Sequence, residues 1–317
     1  MDIRRASSIF VALTVLGACS PTTGRVVPPS TAGVARIPGK ASYKIYVANI
    51  GNSTITTYEP DGTQTTPTIS TGTYLFGIAV APNGKIYALT CDPLGGRNSD
   101  GTVASYTPDG TPTSPTITVQ ERGYHTPVGI AVDSSGKIYV LSSAHNGSRG
   151  TVTTYTPDGR KTTPTFRTGS DSSSIAIDSN GKIYITNDTG PGGKSTVTTY
   201  LPDGTPTSPT LRRRIHVPDA IAVGSDGTIY VANTTNGGPD GTGAGYVTSY
   251  SSGGDGPIQH IKDPREAPGA LATANEKIYV AGSSPYKDTL KTYTVAGRRV
   301  APTITVGLDE PSGLAIH

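Results

Sequence analysis

The sequence predicts an all-β protein: a six-bladed β-propeller of four-stranded antiparallel blades, closed by pairing the C-terminal strand with the N-terminal blade. Three observations lead there. One pattern recurs six times, turn signals fall at fixed places within it, and the two chain ends each supply part of one unit. An Ile-Tyr pair marks each copy, at Ile45-Tyr46, Ile86-Tyr87, Ile138-Tyr139, Ile183-Tyr184, Ile229-Tyr230 and Ile278-Tyr279. Successive pairs lie 41, 52, 45, 46 and 49 residues apart, close to the length of one blade.

Each copy reads as four strands. The first, such as Gly77-Ile-Ala-Val80, is small on one face and branched on the other, which suits the innermost position where blades converge. The second, Lys-Ile-Tyr-Val, is apolar on both faces, as a strand between neighbouring blades must be. The third alternates Thr or Val and ends in Tyr. The fourth is expected to begin at Pro67, Pro115, Pro164, Pro209 and Pro302, because proline cannot donate to a ladder and belongs on an edge. Asn83-Gly84, Ser135-Gly136, Asn180-Gly181 and Asp226-Gly227 join strands one and two as tight hairpins. Pro60-Asp61-Gly62, Pro108-Asp109-Gly110, Pro157-Asp158-Gly159 and Pro202-Asp203-Gly204 join strands three and four. The chain begins with a second strand at 44–48 and ends with an orphan first strand, Gly313-Leu-Ala-Ile316, so the ends complete one blade. The expected blades are 43–72 plus 313–317, 73–121, 122–169, 170–215, 216–263 and 264–312.

Residues 1–18 read as an export signal, with Arg4 and Arg5 ahead of a short apolar run, Ile9 to Leu16. Leu16-Gly17-Ala18-Cys19 resembles the bacterial lipobox, which implies lipidation of Cys19 and anchoring by several acyl chains. Ser20 after the cysteine implies the outer membrane in the Gram-negative sorting pattern, facing the periplasm or the surface. Residues 19–42, rich in Ser, Pro, Thr and Gly, read as a flexible tether. Lipidation of Cys19 leaves Cys91 alone, expected as a tolerated loop residue, and excludes an intramolecular disulfide. Removing the signal takes away two arginines and one aspartate, so the formal charge falls from +3 to +2. That balance gives no electrostatic case for nucleic acid.

The repeat resembles the NHL-repeat family, whose units read Pro-x-Gly-Ile-Ala-Val-Asp and then Gly-x-Ile-Tyr-Val-Ala-Asp/Asn. Pro311-Ser-Gly-Leu-Ala-Ile316 and Ile45-Tyr-Val-Ala-Asn49 carry the match, while the family's Asn-x-Arg-Ile segment is missing from strand three. The resemblance covers about residues 43–317 and implies a binding platform. The related six-bladed SMP-30/gluconolactonase group contains metal-dependent lactonases, which open with a Glu-Gly-Pro-like segment bearing a metal-binding Glu. Nothing comparable precedes Ile45. Antibiotic-lyase propellers differ in usually having seven blades.

Subtracting the repeat isolates candidates for function. Of 17 tyrosines, twelve occupy two repeated slots and read as core. Tyr74, Tyr124, Tyr246 and Tyr286 fall in or beside the loops joining strand four to one or strand two to three. Those loops share one face and include the long segments 91–101, 143–150 and 234–245; the opposite face holds only tight turns. His125, His216, Glu266 and Asp309 share one register before strand one, with Asp171 and Glu310 one place along. His145, Asn187, Asp188 and Asn233 come from the facing loops. The expected ligand-binding set is therefore Tyr74, Tyr124, His125, His145, Asp171, Asn187, Asp188, His216, Asn233, Glu266, Asp309 and Glu310. His216, Glu266 and Asp309 are the weak metal candidates. There is no nucleophile elbow, zinc-protease helix or phosphate loop. The expected function is a monomeric, non-catalytic binding or scaffolding lipoprotein of the bacterial envelope. It presents its long-loop face to a protein, peptide or glycan and needs no cofactor. The alternative is a metal-dependent hydrolase, lactonase or lyase using a divalent ion on the same face.

Overall fold

A computed structural model describes residues 43–91, 100–120, 125–144, 148–188, 194–234, 245–263, 266–284 and 287–317. Blade 1 starts with β1 (Ile45–Asn49), β2 (Thr54–Tyr58) and β3 (Gln64–Ser70). Blade 2 is β4 (Leu75–Val80), β5 (Ile86–Cys91), β6 (Gly101–Tyr106) and β7 (Pro112–Val119). Blade 3 is β8 (His125–Val132), β9 (Ile138–Ala144), β10 (Arg149–Tyr155) and β11 (Lys161–Ser170). Blade 4 is β12 (Ser172–Ile177), β13 (Ile183–Asn187), β14 (Thr196–Tyr200) and β15 (Pro206–Leu211). Blade 5 is β16 (Pro218–Val223), β17 (Ile229–Thr234), β18 (Gly245–Tyr250) and β19 (Gln259–Asp263). Blade 6 is β20 (Ala267–Ala274), β21 (Lys277–Ser283), β22 (Thr289–Thr294) and β23 (Arg299–Ile304). The last strand, β24 (Pro311–Ile316), returns to pair antiparallel with β1, giving the order β24-β1-β2-β3.

The innermost strands β4, β8, β12, β16, β20 and β24 each touch the next around the ring, and β24 touches β4, so the ring is closed. Its seam sits where the sequence places it. Ile45 faces Ile316, Val47 faces Leu314 and Ala48 faces Gly313, and the Lys44 N–H donates to the His317 carbonyl at 2.9 Å. The core lies between blades as apolar layers; one contains Ile45 and Tyr58 of blade 1, Leu75 and Ile86 of blade 2, and Tyr279 and Leu290 of blade 6. Small residues on the first strand reflect the taper. A Cβ on Gly129 would meet the Ile175 side chain of the next blade at 3.2 Å.

The outer strands differ from expectation. They begin about three residues before the prolines, which sit mid-strand beside a register shift. In blade 2, Val103 faces Ile117 but Ser105 faces Thr113, so Pro115 lies in a bulge. A third-strand hydroxyl answers the displaced carbonyl: Ser105 Oγ donates to Pro115 O at 2.5 Å, Thr154 Oγ1 to Pro164 O at 2.8 Å, and Thr199 Oγ1 to Pro209 O. Proline supplies no N–H to the ladder there, so the bulge leaves its own backbone satisfied.

That bulge also explains the turn glycines. Gly159 has φ +87°, and a Cβ on it would lie 2.5 Å from Pro115 Cβ of the preceding blade. Gly254 stands 2.3 Å from Pro209 Cβ and Gly62 2.7 Å from Pro302 Cβ on the same measure. On the tight-turn face the turns of blades 1, 3 and 5 thus interlock with the preceding blade's bulge proline, while Gly204 of blade 4 packs on the Phe166 side chain of blade 3. The turn aspartates are occupied as local caps, with Asp61 and Asp203 accepting the backbone N–H of Thr63 and Thr205 at 2.9 and 2.8 Å.

Deleting residues 313–317 removes most of β24 and strips the inner partner from β1. We expect loss of the cooperative unfolding transition by circular dichroism and calorimetry, rather than a small fall in Tm; a truncated chain that melts like the full one would refute the seam.

Candidate functional site

In three blades the long-loop face is built around an asparagine at the end of strand two. In blade 1, Asn49 Oδ1 accepts the Asp309 N–H at 3.0 Å, and Nδ2 donates to Thr56 Oγ1 at 3.1 Å. In blade 5, Asn233 Oδ1 accepts the His216 N–H at 2.9 Å, while Nδ2 donates to Val231 O and Thr248 Oγ1, both at 3.0 Å. In blade 4, Asn187 Oδ1 accepts from Ser172 Oγ at 2.9 Å and Nδ2 donates to Thr198 Oγ1 at 3.1 Å. A neutral amide donates and accepts at once, so a single side chain ties the incoming loop to the third strand. Asn187 and Asn233 were expected to face a ligand. They are instead buried inside these clasps, with both ends of the amide engaged.

Blade 6 solves the same problem with charge. Gly282 stands where the asparagine would be and Lys291 where the threonine would be, by strand register. The Glu266 carboxylate fills the vacated space: a Cβ on Gly282 would meet Glu266 Oε2 at 3.3 Å, and Oε2 lies 2.7 Å from Lys291 Nζ. Thr289 Oγ1 donates to the same oxygen. Glu266 thus holds its own loop, and its carboxylate is 14% exposed.

In four blades the residue before strand one closes the loop with its carbonyl. Tyr74, Asp171, Val217 and Glu310 accept, respectively, the N–H of Cys91, Asp188, Thr234 and Ile50, each at 3.1 Å. Asp171, Val217 and Glu310 adopt φ of +44°, +38° and +48° there. For the β-branched Val217 this is a strained conformation, held by the surrounding loop.

Strand one then bulges, placing Phe76, Val128, Ser173, Asp219, Gly269 and Ser312 in one extra slot at the face. Ser312 Oγ donates to Leu75 O of the next blade at 2.9 Å, and Ser173 Oγ does the same to Pro218 O. Phe76 buries against Ile50 and Cys91, so Cys91 is a buried strand-end residue rather than the expected loop residue. At the blade 4–5 junction the slot holds a carboxylic acid. Burial pushes the Asp219 carboxyl up to about 7; a hydrogen bond with Thr234 opposes the shift and the negative charge of Asp188 adds to it. Asp188 Oδ1 accepts from Ser195 Oγ at 3.0 Å. Beside this pair, the exposed His216 ring meets the Tyr246 ring edge-to-face, centroids 6.5 Å apart.

The structure therefore brings Asp188 into one junction with Asp219, and sets His216 and Asp171 on the blades flanking it. Tyr74 is 50% exposed on blade 2. His125 opens β8 with Nδ1 buried and without a partner among the described residues. Asp309 lies over Gly51, and Glu310 receives its own backbone tie, donating its N–H to Asp288 Oδ2 at 2.8 Å. Among the described residues no three His, Cys, Asp or Glu side chains converge to hold a metal, and His216, Glu266 and Asp309 are not brought together. Cys19, Tyr124 and His145 lie outside the described residues. Asp219 and Asp288 were missed. Asp219 had a signal, because it stands where other copies carry Phe, Val, Ser or Gly.

No family model matches the chain, and no curated protein is similar to it. Solved structures share the fold. Virginiamycin B lyase from Staphylococcus aureus is similar at 14% identity and TM-score 0.56, over 98% of this chain and 89% of that one. A streptogramin B lyase matches at 16% identity and 0.55, over 88% of each chain. TolB from Acinetobacter baumannii matches at 14% identity and 0.60, over 87% of this chain and 67% of that one. At such identities the likeness establishes a β-propeller and nothing finer.

Two outcomes test the site's electrostatics. Glu266→Gln leaves a buried ammonium without its carboxylate and is expected to cost about 3 kcal/mol of unfolding free energy in urea titration. Adding Lys291→Met should restore most of that loss; no recovery would refute the clasp. For Asp219, the unfolded chain ionises from about pH 4 while the folded chain keeps its proton to about pH 7. Folding therefore weakens as pH rises across that window. Asp219→Asn should gain Tm over the parent progressively between pH 4 and 7, by up to roughly 8 °C, and no more above it, and a pH-independent difference would overturn the assignment.

Proposed function

We propose that this protein is a non-catalytic binding or scaffolding lipoprotein of the bacterial envelope. It is tethered through Cys19 and presents its long-loop face to a protein, peptide or glycan, in keeping with the NHL-like repeat. The carrying observation is the inequality of the two faces. One is an interlock of turns and bulge prolines. The other carries the carboxyl groups of Asp188 and Asp219, together with the exposed His216 imidazole seated edge-to-face on the half-buried Tyr246 ring. Carboxyl, imidazole and phenol groups on a rigid rim recognise polar ligands by hydrogen bonding and stacking. Lipidation would hold this face within reach of envelope partners.

A second reading, a metal-dependent hydrolase or lyase, is favoured by one observation. Asp219 sits near neutrality beside another carboxylate, as groups that share a proton or a cation do. Calcium, zinc and manganese titrations of Asp188→Asn and of the parent separate the two; a metal-dependent rise in Tm that the variant loses would favour the enzyme.

The test of the first reading is site-specific photocrosslinking in cells. A photoreactive residue at Tyr74 or His216 should capture an envelope partner, and one at Leu201, exposed on the opposite face, should not. Crosslinks only at Leu201, or none from either loop position, would overturn the reading. Cys19→Ser should release the protein from the membrane fraction.

A further inference from the structure

Five outer strands carry a proline and a register shift within them, whereas in the sixth both fall ahead of the strand. In blades 1, 2, 3, 4 and 6 the register between third and fourth strands shifts partway. In each, a proline stands five residues beyond the turn glycine, as from Gly110 to Pro115 and from Gly297 to Pro302. Proline and a bulge are two ways in which edge strands avoid pairing with another chain. In blade 5 the proline comes after three residues, Gly254 to Pro257, and falls ahead of the strand. β19 consequently contains no proline and runs in unbroken register with β18, from Ser249 opposite Gln259 to Gly245 opposite Asp263. It is the end strand of its sheet. Its outer edge therefore offers a straight row of backbone donors and acceptors over about 17 Å. Ile258, 65% exposed, stands at its entrance.

Charge beside this edge indicates what it takes. Arg212, Arg213 and Arg214 follow β15 of blade 4 and are all exposed. They are seated against blade 5, since Tyr250 Oη of β18 donates to Arg213 O at 2.6 Å. Tyr246, which lies close enough to feel the Arg214 charge, is the register partner of Lys262 on β19. The Arg213 backbone is thus seated on β18, one strand in from the only unbroken outer edge among the described strands, and the Arg214 charge reaches Tyr246, opposite Lys262 at one end of that edge. Arginine forks match carboxylates, and an extended chain matches a free strand edge. A second copy of this chain brings a single carboxylate, Asp263, on its own β19.

We propose that the outer edge of blade 5 docks an extended, acidic, proline-free segment of a partner protein. The segment adds as a fifth strand to β19, with its carboxylates toward Arg212–Arg214. This surface is separate from the long-loop face and does not depend on it. The experiment is selection of a displayed library of random twelve-residue peptides on the full chain, followed by amide hydrogen exchange with a synthetic selected peptide. We expect acidic, proline-free peptides, slowed exchange within 259–263, and about tenfold weaker binding when all three arginines are changed to Gln. The same peptide N-methylated at alternate residues should not bind. Enrichment of no peptide, protection confined to the upper loops, undiminished binding of the N-methylated peptide, or protection of β19 by the chain's own dimerisation would each overturn the proposal.

Discussion

Everything in this molecule depends on one pairing, that of β24 with β1. Six tapered blades can bury their apolar layers only if each has a neighbour on both sides, so an open ring would expose two whole faces of core. Local contacts within one blade cannot supply that closure. It comes from residues some 260 positions apart, Val47 against Leu314 and Ala48 against Gly313, so the long-range pairing and the interblade core stand or fall together. Ser312 adds to the seam from the inside, donating to Leu75 O and so linking the closing strand to the second blade.

Closure then sets different demands on the two ends of each blade. At the tight-turn end the blades approach through backbone and proline, and a glycine without a Cβ lets turn and bulge meet. At the long-loop end an incoming chain must be steered over the top of the sheet and into the inner strand. Its carbonyls and N–H groups need partners there, and the asparagine clasps supply them. The polar character of that face is therefore partly structural. An exposed loop residue and a buried clasp residue can share a register and a chemistry while doing opposite things.

That distinction marks the limit of what the sequence makes legible. Strand order, blade number and the seam follow from the Ile-Tyr repeat and the orphan Gly313-Leu-Ala-Ile316, because hydrophobic period and turn chemistry are local and repeated six times. The bulge was not legible: Pro115 reads as a strand start, since proline excludes a ladder bond wherever it falls, and only the register shows that the strand began at Pro112. Asn187 and Asn233 read as ligand groups because amides serve both uses, and burial alone separates them. Long loops of variable length, where ligand contacts concentrate, carry no period from which position can be inferred.

Departures from the repeat consequently sort into two physical kinds. Glu266 is unusual in its register, but Gly282 and Lys291 are unusual in theirs, and the three are contiguous in space. A carboxylate, an ammonium and an absent side chain cancel one another, so the departure restores the tie that other blades make with Asn and Thr. Asp219 is different. Its slot lies within reach of the Asp188 charge, and burial together with that second acid pushes the Asp219 carboxyl up to about 7. A substitution matched by its neighbours explains itself through folding. One that sets a partly buried acid beside another acid works against folding as pH rises from about 4 to about 7, so the packing of the repeat does not account for Asp219 in the way it accounts for Glu266.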